Sequence, residues 1–416
     1  MSNKKKILFV HQNFPGQYKH LANHFANDAN FEVHTLSIKK FTDERMINHH
    51  YKLNAASTEG VNQFAGEFEA KMIRAHSSIL KVIELNKSGF APDIIIGHPG
   101  WGETIFLKEI WPDAKLISYV EYYYNTRNSD IDFDLNLLKQ IKSDVSAFLD
   151  FTRLKLVARN AYFTQAYIQS DFLVCPTEFQ KDLLPDIFKS RVKVIHDGIN
   201  TSVLKPDATA SLMVNGRRFT SSDKIISYIS RSLDPYRGFH IFIETIPQIL
   251  KDNPDANIFI VGNPDTPGYG AALEEGRFKE FFYSKIENKI DKERVFFLGV
   301  VDYEIFKKIL QITSVHLYLT FPFVLSWSML EAMSCGSLVL GSNTGPVSEV
   351  IKHNENGILV DFFDTKSIAN NINSILKNKD NYKSIKDSAR ETILKKYDLK
   401  SVCLPQHLDL INEVIK

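Results

Sequence analysis

The chain has 416 residues, 44% of them hydrophobic and 24% charged, with a formal net charge of +1. That length exceeds one ordinary core and points to two domains, and near-neutral charge argues against a global pull towards nucleic acid. Three cysteines without a CxxC pair give no sign of a disulfide framework or a zinc site, and no apolar run reaches the roughly 18 residues of a membrane span. The short run Ile7-Leu8-Phe9-Val10 breaks at His11, unlike the core of a secretion signal, so a cytoplasmic location is expected. Local clusters such as Lys4-Lys5-Lys6 still leave room for contact with an anionic surface.

Residues 6–11 (KILFVH) read as a buried strand entering a loop at 12–17, and a helix is expected from about 18 to 27. Further strands are expected at 31–38, at 91–98 after a mostly helical stretch over 61–87, and at 116–121. Strands alternating with helices through polar turns predict a parallel, doubly wound sheet that takes its ligands at the carboxyl ends of the strands. His11, His98 and Glu121 fall at such ends. Each alone reads as a loop or satisfied core residue, but three polar groups at neighbouring ends favour a site.

The run 122–169 has a different character. It opens on Tyr122-Tyr123-Tyr124-Asn125 and an acidic loop, then continues in an amphipathic pattern that predicts two helices. Its aromatics read first as packing. The alternative is an acceptor-binding wall with Tyr122 in it, because exposed aromatic rings stack on sugars or lipid. A strand at 171–175, a short helix at 178–184 and a strand at 192–196 end the first half.

Residues 197–218 hold Gly198, Pro206, Asn215 and Gly216 among few apolar neighbours, the composition of a linker. The pattern then restarts, with strands expected at 224–230, 257–261, 295–298, 315–319, 338–341 and 357–360, a helix from Gly238, and helices over 384–416. Two similar halves around a linker predict a cleft between them.

Residues 225–238 read IISYISRSLDPYRG. A strand delivers Arg231 into a loop, and Arg237 follows just before the helix. Two guanidinium forks there suit a diphosphate, the alternative being solvated loop arginines. A second strand-loop-helix unit contains FPFVLSWSMLEAMSCGSLVLGSNTGPVSE at 321–349. Its Leu-Glu-Ala-Met run favours a helix expected to open at Ser326, Trp327 and Ser328, where unpaired N–H groups and the helix dipole attract an anion. Glu331 lies one turn in, on the face of Ser328. A phosphate at the helix start and a ribose hydroxyl beside Glu331 fit a nucleoside diphosphate, against an ordinary βαβ unit with a surface acidic pair. Glu349 is expected to open the next helix.

Three motifs carry a family resemblance. VIHDGINTSVLKP at 194–206, SRSLDPYRG at 230–238 and LEAMSCGSLVLGSNTGPVSEVIKHNENGILV at 330–360 resemble the interdomain phrase, the diphosphate motif and the donor-nucleotide signature of family 4 of the retaining GT-B glycosyltransferases. The resemblance covers most of 191–361, and the first half matches only in its βα plan. It implies an α/β fold of two Rossmann-like domains facing a central cleft, with 1–200 binding the acceptor, 201–399 binding the donor, and a C-terminal helix at 400–416 crossing back to the first domain. It implies retaining, metal-independent transfer of a sugar from a nucleotide diphosphate sugar, a UDP-sugar first and GDP-mannose next, to a glycan or lipid-linked acceptor in cell envelope polysaccharide biosynthesis. No cofactor and no nucleic acid partner are implied, a peripheral membrane contact is allowed, and the oligomeric state has no signature.

Carried over residue by residue, Arg231 and Arg237 look like the pair on the donor diphosphate, the second replacing the usual Lys. Glu331 looks like the carboxylate on the ribose, and Ser326, Trp327 and Ser328 match the phosphate contacts. Gly16 lies where the first-strand loop approaches the donor, without the usual Gly-Gly pair. His98 is similar to the histidine near the sugar. The family's acidic pair places a Glu eight positions before Glu331, where this chain has Phe323. A Phe accepts no hydrogen bonds from sugar hydroxyls. Either the sugar is held otherwise, with the arginines and helix amides stabilising the departing diphosphate, or the chain is a catalytically weak sugar-nucleotide-binding protein of GT-B descent. Phosphorolysis or epimerisation fits the linker and donor signatures less well, and a dehydrogenase is disfavoured because residues 9–16 lack GxGxxG.

Overall fold

A computed structural model describes residues 4–54, 56–266 and 268–415. The chain forms two compact units: Met1–Arg127 with Ser146–Asp197 and Cys403–Lys416, and Asn128–Val145 with Gly198–Val402.

The first unit is built on seven strands, β1 (Lys5–Val10), β2 (Phe31–Ser37), β3 (Met46–His50), β4 (Ile94–Gly97), β5 (Lys115–Tyr119), β6 (Phe172–Cys175) and β7 (Val192–Val194). They pair in the order β3-β2-β1-β4-β5-β6-β7, every pairing parallel. Alternate residues of a strand face opposite sides, so the central strands feed two cores. Ile7, Phe9, Ile94, Ile96 and Ile117 pack with Leu21 and Phe25 on one face, while Leu8, Val10, Ile95 and Leu116 pack with Val82, Leu85 and Trp111 on the other. The helix Leu404–Ile415 adds Leu410, Ile411 and Val414 to the Ile7 face. Strand β3 is absent from the expected set, because MINHH carries too few apolar residues to announce itself beside a polar loop.

The strands of the second unit begin with an antiparallel hairpin, β8 (Ser211–Val214) and β9 (Arg217–Thr220), inside the stretch expected to be a linker. Asn215 and Gly216 make its turn at φ 47° and 78°, the left-handed pair a two-residue hairpin demands. Six parallel strands follow: β10 (Lys224–Ser232), β11 (Ala256–Asn263), β12 (Val295–Gly299), β13 (Val315–Tyr318), β14 (Leu338–Ser342) and β15 (Ile358–Val360), in the order β12-β11-β10-β13-β14-β15.

The first domain was expected to run unbroken over 1–200, yet Asn128–Val145 belongs to the second unit, because its buried side chains find their partners there. Glu349 does not open a helix; it closes the short helix Gly345–Ser348, whose Gly-Pro start supplies the first turn.

Candidate functional site

In the second unit, β10 ends in a loop where Asp234 accepts from the backbone N–H of Arg237 and caps the turn Pro235–Arg237. Burial raises the Asp234 carboxyl, against the pull of the Ser232 hydroxyl and of Arg237. Gly238 then sits at φ 69°, where a Cβ would come within 2.3 Å of Leu319, so only glycine allows the helix Phe239–Asp252 to start this close to the sheet. The turn sends Arg237 inward. Its side chain, 8% exposed, donates through Nη1 to Thr320 Oγ1 at 3.0 Å and to the Val324 carbonyl at 2.8 Å.

Those oxygens belong to the loop that opens the helix Trp327–Ser334. Ser326 is its N-cap: the hydroxyl accepts from the Ser328 N–H at 3.4 Å, and the backbone N–H of Ser326 donates to Tyr318 Oη at 2.8 Å. A small cavity lined by Tyr228, Ser230, Arg237, Tyr318, Leu319 and Ser326 brings the guanidinium and the helix start together. Trp327 is 43% exposed and Ser328 is buried. The structure thus places a buried cation and a helix N-terminus around one small space, the charge pattern an anion requires.

Glu331 lies one turn into that helix and accepts from Tyr303 Oη at 3.4 Å. Burial pushes its carboxyl up to about 7, the tyrosine hydrogen bond pulling the other way. Beside it the Cys335 thiol is pushed up to about 12, first by burial and then by Glu331. Arg231, expected to pair with Arg237, is instead exposed at the end of β10. Phe323 is 6% exposed, with its ring against Tyr269 (4.9 Å between centroids) and Tyr236 (5.3 Å). The Arg237 guanidinium carbon lies 5.8 Å from the Phe323 centroid and 5.6 Å from that of Tyr269. Phe323 therefore packs the arginine rather than standing open as a wall. Thr320, Tyr303 and Tyr236 are not among the residues that the sequence singles out. Tyr236 stands next to Arg237 in sequence, but nothing local marks the partners of the other two.

In the first unit, His11, His98 and Glu121 come together at the carboxyl ends of β1, β4 and β5. His98 Nδ1 accepts from the Gly100 N–H at 3.0 Å, which leaves the proton of the neutral ring on Nε2, 3.4 Å from Glu121 Oε2. Its ring lies 4.5 Å from Trp101, 5.5 Å from His11 and stacked 5.6 Å from Tyr119. His11 accepts from the Asn13 N–H through Nδ1 and meets Gln17 Oε1 at 3.0 Å through Nε2; burial and the neighbouring His98 push it down to about 4. Gly16, at φ 49°, lies so close to the His11 ring that a Cβ would stand 2.5 Å from it. Trp101 and Tyr119, which hold His98, were not singled out from the sequence. Tyr122 is buried against Tyr124 at 5.1 Å, so it is packing and not an exposed wall. Among the described residues no group of three or more His, Cys, Asp or Glu could hold a metal ion, and no helix is long and apolar enough to cross a membrane.

Both halves match known sequence families. Residues 31–204 match the glycosyl transferase family 4 group, and residues 216–392 match the glycosyl transferases of group 1. The N-acetyl-alpha-D-glucosaminyl L-malate synthase of Bacillus anthracis is 26% identical over 43% of this chain and 42% of its own length. The chain spans about half the length of several curated relatives it matches, between 42% and 56% for three of them. Among solved structures, sucrose-phosphate synthase from Thermosynechococcus elongatus superposes with a TM-score of 0.70 at 15% identity, covering 99% of each chain. Anabaena HepE in complex with UDP gives 0.67 at 14% identity, over 98% of this chain and all (100%) of that one. At these identities the likeness is one of fold.

Proposed function

Because the chain belongs to the family 4 and group 1 glycosyl transferases, its halves matching both, we propose that it transfers a sugar from a nucleoside diphosphate sugar held in its second unit. The observation that carries this reading is the buried Arg237, hydrogen-bonded to the very loop that opens the helix Trp327–Ser334. A diphosphate beside this loop meets the Arg237 guanidinium and the positive end of the helix dipole. Its ribose hydroxyls reach Glu331, one turn further on.

As the sugar–phosphate bond breaks, negative charge grows on the leaving diphosphate, and donors already in place stabilise it without reorganisation. This supply of positive charge is the reason to read the transfer as metal-independent, and the family as the reason to read it as retaining. A UDP-sugar is the first donor to test, with UDP bound in the HepE structure as support, and GDP-mannose is next. The first unit contributes the acceptor side, for a glycan or lipid-linked acceptor: His98 offers Nε2–H beside Glu121, on rings held by Trp101 and Tyr119.

A second reading, a catalytically weak sugar-nucleotide-binding protein, draws on Phe323 alone, whose ring offers the sugar no acceptor. Thermal unfolding in the presence of UDP-, GDP- and ADP-sugars tests the site. A ligand at a hundred times its Kd stabilises by about 2.7 kcal/mol, so one donor should raise Tm by several degrees, and no shift with any of them would contradict the reading. Hydrolysis of that donor without acceptor then separates an enzyme from a binder.

A further inference from the structure

We propose that Asn128–Val145, which the chain inserts between β5 and β6 of the first sheet, is a built part of the donor site, in which Asp130 and Asp134 are positioning residues for Arg237. The proposal rests on the reading that Arg237 meets the donor diphosphate.

Two buried carboxylates reach the two sides of the Arg237 turn. Asp130 accepts from Tyr236 Oη at 2.9 Å, one residue before Arg237. Asp134 meets His240 Nε2 at 2.9 Å, three residues after it, with both side chains 5% exposed. The other oxygen of Asp134 caps the helix Leu135–Ile141 through the Leu137 N–H at 2.8 Å. Burying carboxylates is costly unless each is held by hydrogen bonds, and removing one partner strands the other. The segment is therefore fixed where it lies, and so is what it grips.

What it grips is the loop beneath the arginine. Tyr236 accepts the Phe321 N–H on its carbonyl at 2.9 Å and stacks its ring on Phe321 at 4.7 Å. Phe133, between the two aspartates, packs on the same Phe321 at 4.8 Å. Three residues beyond Phe321 is the Val324 carbonyl that accepts Arg237. Phe323 can give this loop no side-chain hydrogen bond, and its ring instead packs on Tyr236 at 5.3 Å, which Asp130 holds in turn.

The test is a double-mutant cycle read by calorimetric titration with UDP, GDP or ADP, whichever the parent binds most tightly. Tyr236→Phe removes one oxygen and Asp130→Ala removes its partner; each is expected to weaken binding about tenfold, and the double variant no further than either single one. Asp130→Asn, which keeps an accepting oxygen, should restore most of the loss, which a merely destabilised protein would not do. Should Asp130→Ala fail to fold, Tyr236→Phe and Asp130→Asn carry the comparison. Parent-like affinity in Tyr236→Phe, or losses that simply add in the double variant, overturns the proposal and leaves the site reading standing. A parent that binds none of the three nucleotides overturns the site reading and the proposal with it.

Discussion

Arg237 donates from a single nitrogen, Nη1, to the Val324 carbonyl at 2.8 Å and to Thr320 Oγ1 at 3.0 Å. Both partners are neutral oxygens of the loop before the helix Trp327–Ser334, so these bonds orient the guanidinium without neutralising its charge. Losing a charge-assisted contact of this kind costs roughly 1.5 to 3 kcal/mol, or about one to two decades of affinity. Arg237→Ala should therefore bind nucleoside diphosphate that much more weakly in calorimetric titration. Arg231→Ala, whose side chain is exposed, should lose less than about tenfold.

Phe323→Ala should behave as a core truncation. The ring is buried between Tyr236 and Tyr269 and lies against Arg237, so the change should cost about 3 to 5 kcal/mol in chemical denaturation. Nucleoside diphosphate affinity should fall with it, since the arginine loses a wall. A variant as stable as the parent, with unchanged nucleotide affinity but slower turnover, would instead mark Phe323 as a surface for the sugar.

Glu331 should make donor binding depend on pH. Burial raises its carboxyl from the ordinary 4.5 to about 7, and a ribose hydroxyl bonds the ionised form better. Affinity should rise as pH climbs from about 6 to about 8, and Glu331→Gln should flatten the profile. Tyr303→Phe removes the hydrogen bond that pulls the carboxyl down, so its midpoint should lie higher. Stability has the opposite sign. The folded state keeps the proton between the two values, so the contribution of this group is full below 4.5 and is lost as pH rises towards 7. Without nucleotide, Glu331→Gln should show less loss of stability over that window in thermal unfolding.

The helix Leu404–Ile415 should matter to the first unit alone. Ile411 is buried with Leu410 and Val414 against Ile7 and Phe9, and Ile411→Ala should cost about 2 to 5 kcal/mol of that unit's stability. Nucleotide affinity should stay within about twofold of the parent. A tenfold loss of nucleotide binding would show that the helix serves the second unit.

Much of the plan was legible because buried parallel strands are nearly continuous apolar runs: IIIG and LVLGS need no context to be read. The helix start near Ser326 was legible from the helix-forming Leu-Glu-Ala-Met run, though its role as the cap was not read. Strand β3 was not, because an edge strand can be polar and MINHH gives no period. The Asn215-Gly216 turn was visible as a hairpin signal but was absorbed into a linker. Asp130 and Asp134 looked like an acidic surface loop, because their partners Tyr236 and His240 lie more than a hundred residues away and no local pattern announces them. Phe323 was legible as a missing carboxylate but not as packing for Arg237, which only the folded loop reveals.

Release of nucleoside diphosphate from UDP-, GDP- and ADP-sugars, followed in the parent and in Arg237→Ala side by side, bears most directly on a sugar-nucleotide transferase with its diphosphate at Arg237. The parent should turn over one of the donors, and Arg237→Ala should slow it by about tenfold to a hundredfold. Release from none of them by a parent that also binds none of the nucleoside diphosphates, or equal rates in the two proteins, would contradict that assignment.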